Sequence, residues 1–267
     1  NEVAPAQHEI APIFTITNVA SDQNQLMMET MKKVAAKHGL YCLLHEKPFA
    51  GVNGSGKHNN WSMSTDTGLN LLDPGSTPAE NSQFITFLLA VVKAVDEHQD
   101  LLRLSVASAG NDHRLGANEA PPAIVSMYVG EELAGVIEAL EKDVKYNGKG
   151  KQVMKLGVDT LPDLPKDTTD RNRTSPFAFT GNKFEFRMLG STFSIAGPNI
   201  IINTIVADEL RQFADELEGA KDFNEALHEL VARTIKEHKR IIFNGNNYTE
   251  EWTKEAKKRG LLNLRNS

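Results

Sequence analysis

The run from Phe84 to Val95 constrains the fold more than any other stretch. Phe84, Ile85, Phe87, Leu88, Leu89, Val91, Val92 and Val95 leave almost no polar face at helical spacing, so a helix here has to be wrapped by the rest of the chain. At about 12 residues, and with Thr86 and Lys93 inside it, the run is too short and too polar to span a bilayer. Thr77-Pro78-Ala79-Glu80 just upstream reads as a capping box with proline at the first helical position. The expectation is a central, buried helix. With 267 residues available, a core around it can form without staples.

Other helices are read from periodicity. Asp22 to His38 places Met27, Met31, Val34, Ala35 and His38 on one side, with Gly39 at the C-terminal cap, and is expected to cover a sheet. A third helix is predicted over Ala123 to Lys142, followed by a long Gly-, Pro- and Lys-rich loop reaching Asp170. Beyond Gly197-Pro198 the pattern is helical to the end, with stripes Val206, Leu210, Phe213, Leu217 and Leu227, Val231, Ile235. Strand-like runs lie at Leu40 to Lys47, His58 to Thr65 and Phe184 to Ser191, the first two joined by a glycine-rich turn as a hairpin. Strands and helices do not alternate regularly, which favours a mixed α+β arrangement over a doubly wound sheet.

Composition narrows the function. A net charge of -6 argues against binding a phosphate backbone, so nucleic acid is not the expected partner. Cys42 is the only cysteine, which rules out an internal disulfide and a cysteine-built zinc site and suits a reducing cytoplasm. No apolar run is long enough to span a membrane. The chain opens Asn-Glu-Val without an initiator Met or a secretory leader, so a preceding segment is expected to be missing.

Several polar clusters carry possible chemistry. Glu2 and Glu9 flank an irregular segment and can converge on a hard cation such as magnesium or manganese, although two solvated surface glutamates is the more ordinary outcome. Gly51 to His58 nearly matches a phosphate-binding loop, but His58 stands in place of the required Ser or Thr, and Asn59 to Ser64 alternate like a strand rather than opening a helix. The glycines suit a tight turn at which backbone groups approach a small ligand, with His58 beside it; a bare turn without ligand fits the same residues. Asn111 to Arg114 and Gly116 to Pro121 have the composition of a functional loop, where Arg114 can fork onto a carboxylate and Glu119 can accept protons, or of an ordinary solvated one. Lys183, Glu185 and Arg187 share one face of a strand, opposite Phe184 and Phe186. Arg171-Asn172-Arg173 can grip phosphates or be loop charge.

The order of these words resembles glutamine synthetase: two glutamates, Asn53-Gly54-Ser55-Gly56-Lys57-His58, Arg114-Leu115 and Glu119-Ala120-Pro121, Asn172-Arg173, and Glu185-Phe186-Arg187. His45 to Gly51 and Ala107 to Leu115 are similar to the type III branch in particular. The resemblance implies a curved, mostly antiparallel sheet covered by helices, with residues 1–197 as the core of a catalytic domain and 198–267 as a helical region packed on it. It implies a ligase that joins L-glutamate and ammonium through a γ-glutamyl phosphate made with ATP, in the cytoplasm, in a ring-shaped homo-oligomer (dodecamer). Residue by residue, it implies Glu2 and Glu9 on one Mg2+ or Mn2+ ion and His58 and Glu185 on another. Asn53, Gly54, His58, Arg114 and Arg187 would hold glutamate or developing phosphate, Glu119 would shield the intermediate and take a proton, and Ser62, Asn60, Arg173 and Lys183 would lie towards the nucleotide.

The sequence also departs from that pattern. No E-x-E strand precedes Glu2, so this stretch alone is expected to have little activity; the Arg114 to Glu119 spacing is one residue short; Phe177-Ala178-Phe179 replaces an expected arginine; and Asn60 stands where relatives carry a second histidine. Two readings of other classes remain open: a catalytically silent nucleotide- or amino-acid-binding module, and a structural oligomerisation module.

Overall fold

The computed structural model describes residues 2–146 and 174–266, together with the short strands Val153–Met154 and Leu164–Pro165 between them. The apolar run forms α2, Ser82–Glu97, and sits at the centre as its composition demands. Phe84, Leu88, Leu89, Val91, Val92 and Val95 are all buried. Its cap differs from the sequence expectation. Pro78–Glu80 make one 3-10 turn, Thr77 caps nothing, and the Asn81 side chain accepts the Phe84 N–H at 3.0 Å. Asn is as good a cap as Thr, and proline one turn earlier tightens the approach.

Around α2 lie α6 (Ala196–Glu218) and α7 (Phe223–His238), with α8 (Glu250–Lys258) further on. Asp222 caps α7 by accepting the N–H groups of Asn224 and Glu225. Buried Asp96 at the end of α2 takes Arg240 Nε on both oxygens at 3.0 Å and His238 Nδ1 at 2.9 Å. That paired carboxylate ties the helices together; removing one partner of such a buried pair costs about 3–5 kcal/mol.

The other layer is a four-stranded, mostly antiparallel sheet in the order β1-β6-β5-β2, where β1 is Gly56–Trp61, β2 Met127–Tyr128, β5 Phe177–Phe179 and β6 Phe184–Gly190. Strands β3 (Val153–Met154) and β4 (Leu164–Pro165) form a separate antiparallel pair. The mixed α+β class is therefore as expected. Period two in Lys183 to Arg187 works as read: Phe184 and Phe186 are fully buried and stack with Phe177 and Phe179 at centroid distances of 5.2–5.6 Å. Phe177-Ala178-Phe179, where the resemblance led us to expect an arginine, is thus a strand of the sheet core.

Three sequence expectations change. The predicted helix over Ala123 to Lys142 is helical only from Gly130 to Glu141 (α5); Met127–Tyr128 are strand β2, because they pair in parallel with Phe177 and Ala178 of β5. The predicted hairpin is absent. Leu40 to Lys47 forms no strand, and β1 pairs with β6, about 130 residues away in sequence, instead. A strand exists only through a partner, and among the described residues this segment finds little beyond the Ser55 N–H on the Glu46 carbonyl at 2.8 Å. Finally, α1 (Thr17–Lys37) starts earlier than expected, contacts α6 rather than covering the sheet, and buries Asn24 and Met28, while Val34 and His38 stay exposed. The long loop from 145 lies mainly outside the described residues.

Candidate active site

Strand β6 brings the chemistry together. Glu185 stands opposite Asn60 on β1, and the register slips between Lys57 and Asn59, where Arg187 and Met188 of β6 face the single residue His58, a bulge in β6. Such a bulge re-aims one side chain without breaking the sheet. Its result is that His58 Nδ1 lies 3.2 Å from Glu185 Oε1. Arg187 Nε is 3.7 Å from the other oxygen, Glu185 Oε2. Arg187 is buried and Glu185 partly so, while His58 is more open, so the three form a wall with a wet rim.

The glycine turn lies over this wall, and its shape is fixed from below. A Cβ on Gly54 would stand 2.5 Å from Arg114 Cγ and 2.5 Å from the Glu46 carbonyl oxygen; one on Gly56 would meet Arg114 Nη1 at 2.7 Å. Only glycine fits. Arg114 itself ends α4 (Ala109–Arg114), a short helix where the sequence suggested a loop, because Ser108 caps it by accepting the Asn111 N–H. The Arg114 guanidinium donates to Asn111 Oδ1 and to the Met188 and Leu189 carbonyls, each at 3.0 Å. Burial pushes it down to about 10, with Arg187 adding to the shift and Glu46 opposing it. Most of its bonding is spent on the scaffold, which makes it a support of the turn more than a ligand to a substrate.

Glu46 lies in the His45 to Gly51 word, but nothing in its pattern gives that residue a role. It is 3% exposed, accepts the Thr192 N–H at 3.0 Å and the Thr192 hydroxyl, and presses against Gly110 and Gly190. It is the counter-charge for Arg114 and for Lys57, whose ammonium donates to the Ser191 and Phe193 carbonyls at 2.6 and 2.5 Å and is pushed down to about 8, mainly by burial. A glutamate in an otherwise apolar, exposed-looking segment gives no periodic signal; only its burial among glycines reveals it.

Glu119 sits on a closed turn in which Gly116, Asn118 and Glu119 have φ of +100°, +54° and +67°. A non-glycine pair in the left-handed region is uncommon and marks a constrained segment. Asn53 Nδ2 reaches across from the glycine turn to Glu119 Oε2 at 3.1 Å. The N-terminal segment folds back through Gln7, whose Nε2 donates to the Gly54 carbonyl at 3.2 Å. This places the segment against the turn, with Glu2 and Glu9 exposed.

Of the residues expected to lie towards a nucleotide, Ser62 Oγ donates to Asn70 Oδ1 at 2.8 Å and to the Asn182 carbonyl at 3.0 Å, while Lys183 is 3.4 Å from Asn182 Oδ1 and Asn60 is exposed. Arg173 lies outside the described residues. His58 and Glu185 offer two of the six donors an octahedral divalent cation takes, and of the two the carboxylate oxygen is the type that magnesium and manganese prefer. Among the described residues, the one cluster of three such donors within 4.8 Å of each other is Glu97, His98 and Glu209, on α2 and α6 away from this wall. Lys93 already bridges Glu97 and Glu209 there. Glu2 and Glu9 therefore form no three-membered donor group with His58 and Glu185.

Two family descriptions match the chain, "Glutamine synthetase, catalytic domain" over residues 1–124 and "Glutamine synthetase C-terminal domain" over residues 226–267. Across 99% of its length the chain is 55% identical to the Type-3 glutamine synthetase of Dictyostelium discoideum and 56% identical to a glutamine synthetase of Butyrivibrio fibrisolvens. The chain belongs to the glutamine synthetase family. It spans 36% and 38% of the lengths of those two relatives. It is also 49% identical to a glutamine synthetase of Bacteroides fragilis over 99% of the chain, and the Dictyostelium relative carries the type that the words around Glu46 and Asn111 suggested. The glycine turn leads into strand β1 rather than opening a helix, which is where it departs from a phosphate-binding loop.

Proposed function

We propose that this chain forms the core of an ATP-dependent ligase that converts L-glutamate and ammonium to glutamine through a γ-glutamyl phosphate. The observation that carries this reading is the His58–Glu185–Arg187 wall, in which an imidazole nitrogen and a carboxylate oxygen 3.2 Å apart stand beside a buried guanidinium. Phosphoryl transfer needs chiefly positioning and charge compensation. His58 and Glu185 would help hold a Mg2+ or Mn2+ ion, which when bound screens the phosphates and bridges their oxygens. Arg187 supplies a fixed positive charge for the glutamate or for the developing phosphate.

Asn53 and Gly54 are proposed to hold the glutamate beside this wall. Glu119, steered by Asn53, shields the intermediate from water and takes a proton from ammonium on its carboxylate. Arg114 acts beneath the turn as a positioning residue. Ser62, Asn60 and Lys183 lie along the far end of β1 and β6 and are proposed to face the nucleotide, as is Arg173. Glu2 and Glu9 are proposed to complete a second cation site together with carboxylates from outside these 267 residues, so that this stretch by itself has little synthetase activity. We further propose residues 1–197 as the catalytic core with 198–267 packed on it, a cytoplasmic location, and a ring of identical subunits; no described helix is long and apolar enough to cross a membrane.

The test is glutamine formation by the intact protein from glutamate, ammonia and ATP with either metal. Glutamine and phosphate appearing together in equal amounts, and only when all three substrates and a divalent metal are present, is the expected result. ATP turnover indifferent to glutamate would sink the reading.

A further inference from the structure

Glu46 holds the glycine turn with its backbone and with its side chain. Its carbonyl accepts the Ser55 N–H at 2.8 Å and stands 2.5 Å from where a Cβ on Gly54 would be. The loop that carries it is closed in turn: Lys47 Nζ donates to the Val52 carbonyl, and the Lys47 N–H to His45 Nδ1 at 3.0 Å. The carboxylate enters a slot that only glycines leave open. Glu46 Oε2 lies 3.1 Å from the Cβ position of Gly110, and Glu46 Cγ 2.5 Å from that of Gly190. In that slot Oε1 accepts both the N–H and the hydroxyl of Thr192.

The residues around Thr192 complete a ring. The Ser191 N–H donates to the Ser55 carbonyl at 3.2 Å, and Lys57 Nζ donates to the carbonyls of Ser191 and Phe193. Glu46, Thr192, Ser191 and Ser55 are thus linked in a circuit that returns to the Glu46 carbonyl. Linked hydrogen bonds out of water reinforce one another, so losing one member loosens the rest. The part of the turn braced in this way is the part from which Asn53 reaches Glu119 at 3.1 Å. At the other end of β1, Ser62 is held by Asn70 and Asn182, with no bond into the ring.

We infer that Glu46 is a positioning residue that sets the glycine turn, and with it Asn53 and Gly54, for glutamate and not for the nucleotide. This deepens the ligase reading above and rests on it. The brace is tested in the intact enzyme with E46A, with E46Q, which keeps an acceptor oxygen for Thr192, and with T192V, which removes only the hydroxyl donor.

The KM for glutamate should rise at least about tenfold in E46A and about threefold in T192V, while the KM for ATP stays within about twofold. E46Q should recover most of the glutamate affinity. Hydrogen exchange at the Ser55 amide should speed up by about tenfold in E46A as the local restraint is lost. An unchanged glutamate KM in a folded E46A overturns the inference; so does an equal rise for glutamate and ATP, which would mark a general loosening of the fold. Should E46A not fold, T192V decides in the same way, a parental glutamate KM overturning the inference. An intact enzyme that makes no glutamine would instead defeat the ligase reading, and exchange at Ser55 would still report on the brace.

Discussion

His58 Nδ1 and Glu185 Oε1 stand 3.2 Å apart although 127 residues separate them in sequence, because β1 pairs with β6 and a bulge in β6 shifts the register at His58. Both side chains keep contact with solvent, so their mutual attraction contributes little to stability, ~0–1 kcal/mol for an exposed pair. Their geometry therefore serves the site more than the fold. Glu185→Gln in the intact enzyme should cut glutamine formation by about 100-fold or more, the scale for removing one preorganised electrostatic contact. The unfolding midpoint should shift little. A loss that extra Mn2+ restores would agree with a cation ligand; an activity equal to the parent's would remove Glu185 from the site.

Arg187→Ala should likewise abolish turnover while the sheet survives, since the backbone N–H of Arg187 keeps its bond to the Pro176 carbonyl at 2.9 Å whatever the side chain. The fall in kcat should be about 100- to 1,000-fold. Unaltered glutamate kinetics would refute the assignment.

Gly54 is a packing prediction. An alanine there places its Cβ 2.5 Å from both Arg114 Cγ and the Glu46 carbonyl oxygen, and the second of these is backbone that cannot swing away. Gly54→Ala should cost about 1–3 kcal/mol, typical of overpacking. Urea denaturation of the variant checks this, and a stability equal to the parent's would mean that the turn is looser than its contacts imply.

Glu46 should be expensive to lose. Glu46→Ala strips the Thr192 backbone and hydroxyl of their acceptor and leaves two buried cations, Arg114 and Lys57, without a counter-charge. A cost of about 1–3 kcal/mol is expected for leaving buried hydrogen-bonding groups without their acceptor. Glu46→Gln, which retains an acceptor oxygen, should cost visibly less in the same unfolding assay.

Lys57 gives a pH signature. Its ammonium is pushed from 10.5 to about 8 by burial. Between these values the unfolded chain binds a proton that the folded chain has released, so the Lys57 contribution to stability rises with pH through that window. Below about 8 the cost of burying the charge is present in full; above 10.5 it has gone. Lys57→Met should flatten this rise in a series of denaturation curves across the alkaline range, whereas an identical slope in parent and variant would show that Lys57 is not the group responsible.

Local pattern carried much of this molecule. The all-round apolar run could only be a central helix, Lys183 to Arg187 could only alternate as a strand, and the Val206 and Leu227 stripes could only be surface helices, because burial of apolar area dictates each from a few neighbouring residues. The chain order of the motifs was legible too, and with it the family. What the sequence could not supply was partnership across distance. Which strand β1 would pair with, whether Leu40 to Lys47 would find a partner, and where the short strands β2 and β5 would lie all depend on hydrogen bonds between segments far apart in the chain. The same holds for Glu46, whose carboxylate finds Thr192 and the glycines only in the folded chain. A charged or aromatic side chain has no periodicity of its own, and it gains a role only when tertiary structure takes it out of water and sets a specific group against it.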